Sequence, residues 1–243
     1  MYAMRLTMVG VLAWFTLVAV SARELVPIWF PPPEVHVSRP LNTLERLVQQ
    51  GSRDPGVYFE LSILYAQAGQ WRQAREACLQ LRALDADNVN SYQGEAYAWV
   101  HLGHPRKALV VIEEGIKRIR DKVHVAWLYR TRGDVLLHLF EKQKQARLLS
   151  QAEQAYRQAL KYDKQVSLAW IGLARISLWR KQHQLVDRFA KNSLRVAKTA
   201  RERALGYYFL GKAAQLRKEN DKAKELFSRA LREHPKSFQI AGR

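Results

Sequence analysis

From residue 41 to about residue 237 the apolar positions recur every three or four residues, and helix-sized segments alternate with short polar turns such as Gln67-Ala-Gly-Gln70 and Lys218-Glu-Asn-Asp221. That period predicts helices that bury one face, and an all-α fold. The stretch Leu-Asn-Thr-Leu-Glu-Arg-Leu-Val-Gln-Gln at 41–50 is amphipathic and ends at Gly51, a helix stop signal, so 41–54 is expected to be an N-terminal cap helix. The chain before it follows a different pattern. Leu6 to Ala22 carries no charge and is mostly apolar, between Arg5 and Arg23-Glu24. This is the pattern of a signal-anchor or transmembrane helix over 1–24, with Leu12, Trp14, Phe15 and Leu17 in its apolar body. Trp29 stands where an interfacial aromatic would lie, and Pro31-Pro32-Pro33 stiffens 25–40 into an extended stalk, because each proline ring fixes φ and removes a donor. Val20-Ser21-Ala22 also offers a signal-peptidase site, which would leave a soluble periplasmic protein instead.

A repeat search over the helical part finds one clear unit: Tyr207-x2-Leu210-Gly211, then Ala223-x3-Phe227-x2-Ala230-Leu231, then Pro235. A second has Tyr58-x2-Leu61, Tyr65, Gly69, Trp71 and Ala74; 34 residues later come Tyr92, Trp99, Gly103 and Ala108, with Glu95 where Leu is expected. A third has Tyr129, Gly133 and Leu136, then Ala152-x3-Tyr156-x2-Ala159-Leu160, separated by seven extra residues that can lengthen both helices by nearly two turns in register. A fourth has Trp170-x2-Leu173-Ala174 and Ser193-Leu194. This pattern resembles the tetratricopeptide repeat. The resemblance covers 55–237, in five units starting near 55, 89, 126, 167 and 204, and leaves 238–243 as a short tail. It implies a right-handed superhelical solenoid of helix-turn-helix units, stabilised by stacking because one unit cannot bury its apolar face alone.

The resemblance also implies where a partner would bind: the concave face made by the first helix of every unit, at unit positions two, five, nine and twelve. On this chain that selects Phe59, Ile63, Tyr97, Arg130, Asp134, Ile171, Arg175, Tyr208 and Lys212. Tyr97, Arg130, Arg175 and Tyr208 are the expected anchors, since hot spots favour aromatic and Arg side chains. The asparagines Asn42, Asn88, Asn90, Asn192 and Asn220 are not where a carboxylate-gripping cochaperone would need them on first helices. The last apolar edge is left for a partner or a second copy to cover.

Charge changes the picture more than composition does. The formal charge is +18, and the excess lies wholly after residue 100, where 32 basic side chains meet 13 acidic ones against 8 and 9 before it. Such a field favours acidic partners and opens a second reading, a basic solenoid that binds a polyanion such as nucleic acid, anionic lipid or cell-wall polymer. Catalytic chemistry finds little footing. Among seven histidines only His101-x2-His104 has metal-like spacing, and it straddles the turn at Gly103 without a third ligand. Neither a phosphate loop nor a Gly-x-Ser-x-Gly elbow occurs, and Glu113-Glu114 are adjacent and diverge on a helix. The single Cys78 forms no intramolecular disulfide and reads as a core residue.

The expected function is therefore a non-catalytic, cofactor-free protein–protein interaction scaffold or assembly factor for a subunit of a membrane or envelope complex. Arg5 and the amino terminus place the N-side in the cytoplasm by the positive-inside rule, hence a single-pass inner-membrane protein with its repeats in the periplasm.

Overall fold

The computed structural model describes residues 37–235. The segment carrying Leu12, Trp14, Phe15, Leu17 and Trp29, most of the proline stalk and the tail at 238–243 lie outside the described residues. Within them no helix is long and apolar enough to cross a membrane. They contain eleven helices and no strand: α1 Leu41–Gln49, α2 Pro55–Gln67, α3 Trp71–Leu84, α4 Val89–His101, α5 Pro105–Arg118, α6 Lys122–Gln143, α7 Ala146–Tyr162, α8 Ser167–Trp179, α9 His183–Val196, α10 Ala200–Leu216 and α11 Asn220–Glu233. Each helix packs on the next, and α2, α4, α6, α8 and α10 also touch in succession. The chain is therefore a stack of five helix pairs, with the first helices forming one layer and α1 covering α2.

Local sequence explains the boundaries. First helices carry side-chain caps: Asp54 accepts from Gly56 N (2.8 Å), Asn88 from Asn90 N, Asp121 from His124 N, and Thr199 with Glu202 forms a reciprocal capping box. Only α8, which follows Val166, lacks one. Second helices have no side-chain cap, because each follows a tight turn with one residue in the left-handed region: Gly69, Gly103, Lys144, Lys181 and Lys218. Four of these turns close a six-to-one bond, Gln70 N to Tyr65 O, His104 N to Trp99 O, Gln182 N to Ser177 O and Glu219 N to Ala214 O. The fifth closes Lys144 N to Phe140 O instead and is one residue shorter.

The seven extra residues of the third unit lengthen α6 to 22 residues and α7 to 17, against 13 and 14 in the preceding pair. Part of α6's length comes from elsewhere: it begins at Lys122 and α10 at Ala200, a turn before the starts at 126 and 204 that the repeat spacing gives. The small residues Ala74, Ala108, Ala152 and Ala223 are all buried between paired helices, and Leu81, Ile112, Leu128 and Leu173 fill the same layer. Each of these larger side chains contributes about 1.5–3 kcal/mol by leaving water. Tyr58, Tyr92 and Trp170 span the joints between units, each donating to a carbonyl six residues earlier: Ser52, Ala86 and Lys164.

Glu95 departs from the repeat pattern for a reason visible only in space. It is buried on α4, 2.7 Å from Arg82 and 3.6 Å from Arg75 of α3, and accepts from Trp99 Nε1 at 3.0 Å. Arg75 and Lys107 lie over the Trp99 ring. An ionic cluster thus occupies the place of a leucine, and α4 keeps the register of its neighbours.

Candidate functional site

The layer of first helices was expected to offer its inner positions to a partner. It spends most of them on itself. Ile63 and Ile171 are fully buried; Tyr97 is 1% exposed; Asp134, Arg175 and Tyr208 are buried as well. Phe59, Arg130 and Lys212 are half-buried. The physical reason is direct contact between successive first helices, whose facing positions then become a joint instead of a groove lining. Ile63 of α2 packs with Tyr97 of α4, and Val37 and Phe59 pack around them. Residues 37–39 lie over the start of this layer, with Arg39 paired to Glu60 (3.2 Å) and Asp54 (3.5 Å) and Ser38 donating to Glu60.

Further along, the joint is polar. Tyr97 Oη donates to Asp134 Oδ2 at 3.3 Å, Arg130 pairs with the same oxygen at 2.7 Å and with the Tyr97 hydroxyl, and Tyr156 donates to Asp134 Oδ1 at 2.8 Å. Gln93 donates to Thr131 Oγ1 at 2.7 Å beside them, and Arg175 of α8 is paired with Glu141 of α6. Burial drives the Tyr97 hydroxyl up to about 12, and burial together with Asp134 holds the Tyr156 hydroxyl well above the usual tyrosine range, so both remain protonated donors at neutral pH. Burial pushes the Asp134 carboxyl up against the downward pull of Arg130. Burial alone would lower Arg130, but the nearby Tyr97 and Asp134 oxygens outweigh it and raise its pKa. A buried set with this many mutual bonds fixes the spacing of α4, α6 and α8. Tyr97, Arg130, Arg175 and Asp134 are accordingly residues of the joint.

At the far end Tyr208 contacts Phe209 and Phe227, and Lys212 reaches over the Tyr208 and Phe227 rings. Burial lowers the Lys212 pKa.

The inner stripe remains accessible at its N-terminal end. Trp127 is 36% exposed and Val123, one turn earlier on α6, 42%. Trp127 precedes Arg130 by three residues and Asp134 by seven, so it shares their face of the helix. Its counterparts at unit position two, Leu168 on α8 and Asn90, which was expected off the first helices but lies on α4, are half-buried. None of these was among the residues selected from sequence, although position two was one of the four that the repeat pattern marks. His124 lies 5.2 Å from the Trp127 ring. Among the described residues no three His, Cys, Asp or Glu side chains come together as metal ligands, and His101 lies stacked on Trp71 at 3.7 Å. Cys78 is fully buried and its thiol is pushed up to about 12 by that burial, so at neutral pH it is neither thiolate nor accessible.

No protein-family model matches the sequence, and no curated protein matches it. Solved structures do. TTC0263, a TPR protein of Thermus thermophilus, has a TM-score of 0.64 at 13% identity, over 77% of this chain and 95% of that one. A chain of the APC/C hetero-tetramer Cut9–Hcn1 gives 0.63 at 15% identity, over 80% of this chain and 36% of that one. PilW, a type IV pilus biogenesis factor, gives 0.57 at 16% identity, over 82% and 87%. The fold is that of tetratricopeptide-repeat proteins.

Proposed function

We propose that this chain is a non-catalytic scaffold or assembly factor for a protein subunit of a membrane complex, and that the partner docks at the accessible end of the inner layer around Val123 and Trp127. The observation that carries the reading is the exposure of an aromatic anchor on an inner face whose other positions are buried or half-buried. An exposed Trp with an adjacent aliphatic residue supplies apolar contact at little entropic cost, and the buried Arg130–Asp134 set beneath it holds the helix still. The uncharged run at 6–22 and Trp29 support a membrane tether, and Arg5 supports a periplasmic position for the repeats. A tether would raise the local concentration of the docking surface near membrane partners.

The +18 charge favours a second reading, a polyanion binder. Affinity purification from detergent-solubilised membranes separates the two, using the wild-type chain and the pair Val123→Ser/Trp127→Ala. The scaffold reading expects one protein to co-purify with the wild type in salt of about 300 mM, where exposed charges are strongly screened, and to be lost with the variant. Retention by the variant, or recovery only of material that salt removes, would overturn it.

A further inference from the structure

The last helix pair carries a feature that neither the inner layer nor the repeat pattern explains. Between the start of α10 and the end of α11 lies a cavity of about 350 Å³ lined by Ala200, Arg203, Arg229, Arg232 and Glu233. Three arginines line it against one glutamate. Two of the three are held in place by the chain. Arg203 Nε donates to Glu233 Oε2 at 2.8 Å, and the Arg229 guanidinium lies 4.2 Å over the Tyr207 ring. Arg232, one turn beyond Arg229 on the same face of α11, makes no ion pair among the described residues.

From this geometry we infer that the cavity is a binding site for a phosphate-type dianion carried on a larger molecule. The charge matches: three guanidinium groups less one carboxylate leave two positive charges, and a phosphate monoester carries about −1.5 to −2 at neutral pH. Arg forks suit tetrahedral oxyanions through paired N–H bonds, and two forks already fixed by Glu233 and Tyr207 lose little freedom on binding. The volume exceeds that of a bare phosphate, which leaves room for the ester group. The site stands independently of the Trp127 surface: it lies two helix pairs away, and either could exist without the other.

Titration calorimetry on the full chain, at fixed ionic strength, tests the assignment with inorganic phosphate, phosphoserine and glutamate as probes. Phosphate and phosphoserine should bind the wild type, and binding should weaken by about tenfold or more in Arg229→Gln/Arg232→Gln, a loss of the size expected for charge-assisted bonds. A charge-matched pair on exposed positions of α7 and α9, Lys161→Gln/Arg195→Gln, should bind as the wild type does. An equal loss in that control pair, or no phosphate binding to the wild type, overturns the site. Glutamate binding as tightly as phosphoserine overturns the dianion assignment. Thermal unfolding of both pairs confirms that the comparison is between folded proteins.

Discussion

The hydroxyl of Tyr156 donates to Asp134 at 2.8 Å while its ring is held between two glycines, Gly133 of α6 and Gly172 of α8. A Cβ on Gly172 would stand 2.3 Å from the ring, and one on Gly133 2.6 Å. Tyr156 thus joins three helices through its two faces and its tip.

Gly172→Ala should therefore destabilise the protein by about 1–3 kcal/mol or more, through overpacking in a site with no room to relax. Tyr156→Leu, which removes the ring, should make the added methyl tolerable, so that the double variant is more stable than the two single losses predict by about 1 kcal/mol or more. Tyr156→Phe keeps the packing and should cost about 1.5–3 kcal/mol, since a buried carboxylate loses a donor. Urea unfolding midpoints for the four variants and the wild type measure each quantity.

At Glu95 the expected result depends on what replaces the carboxylate. Glu95→Ala leaves a cavity and takes from Arg82 its nearest carboxylate, and should cost about 2–4 kcal/mol, less than for a fully buried pair because Arg82 still touches water and keeps Glu114 at 3.9 Å. Glu95→Leu refills the volume with the residue the repeat pattern expects and should recover at least half of that loss. Chemical denaturation distinguishes the two, and equal costs would show that the ionic cluster, not volume, dominates at this joint.

Three of the tight turns place Lys in the left-handed region, Lys144 and Lys181 at φ 58° and Lys218 at 63°. Lys181→Gly and Lys218→Gly should each raise stability by about 0.5–1 kcal/mol, the relief of left-handed strain less the entropy glycine loses on folding. Lys144→Gly should gain nothing, because Lys144 Nζ lies 4.2 Å over the Trp179 ring and that contact contributes about 0.5–1 kcal/mol. Differential scanning calorimetry of the three variants would show two rises in Tm and one unchanged value.

His138 on α6 has its pKa lowered to about 4 by burial, with Lys142, His101 and Arg175 adding to the effect. The folded state therefore resists a proton that the unfolded chain accepts from about pH 6.5 downward. Stability contributed by the neutral ring is complete above that pH and is lost as pH falls toward 4. With the ring only half-buried, the loss should be about 1–2 kcal/mol after allowance for solvent screening. His138→Gln should flatten this part of the stability–pH curve between about pH 7 and 4, and an unchanged slope would assign the acid sensitivity to other groups.

Within the described residues, sequence alone determined the helical period and the pairing of helices, although α6 and α10 begin a turn before the unit starts it gives. Apolar spacing depends on local geometry, since residues three and four apart share a face whatever surrounds them, and turn residues such as Gly69 and Gly103 mark where that geometry stops. The buried alanines at 74, 108, 152 and 223 were legible for the same reason. What the tertiary structure decided is which inner positions face solvent. Tyr97, Arg130, Asp134 and Arg175 have the residue types of a binding surface, but the close approach of successive first helices turns the first three into partners of one another and pairs Arg175 with Glu141. Trp127 has the same periodicity as Arg130 and stays accessible because it lies a turn nearer the helix end. Glu95 reads as a broken repeat until Arg82 and Arg75 of the preceding helix are beside it. Burial and charge pairing depend on residues distant in the chain, whose separation is fixed by how the helices pack, and a linear pattern carries no record of that distance.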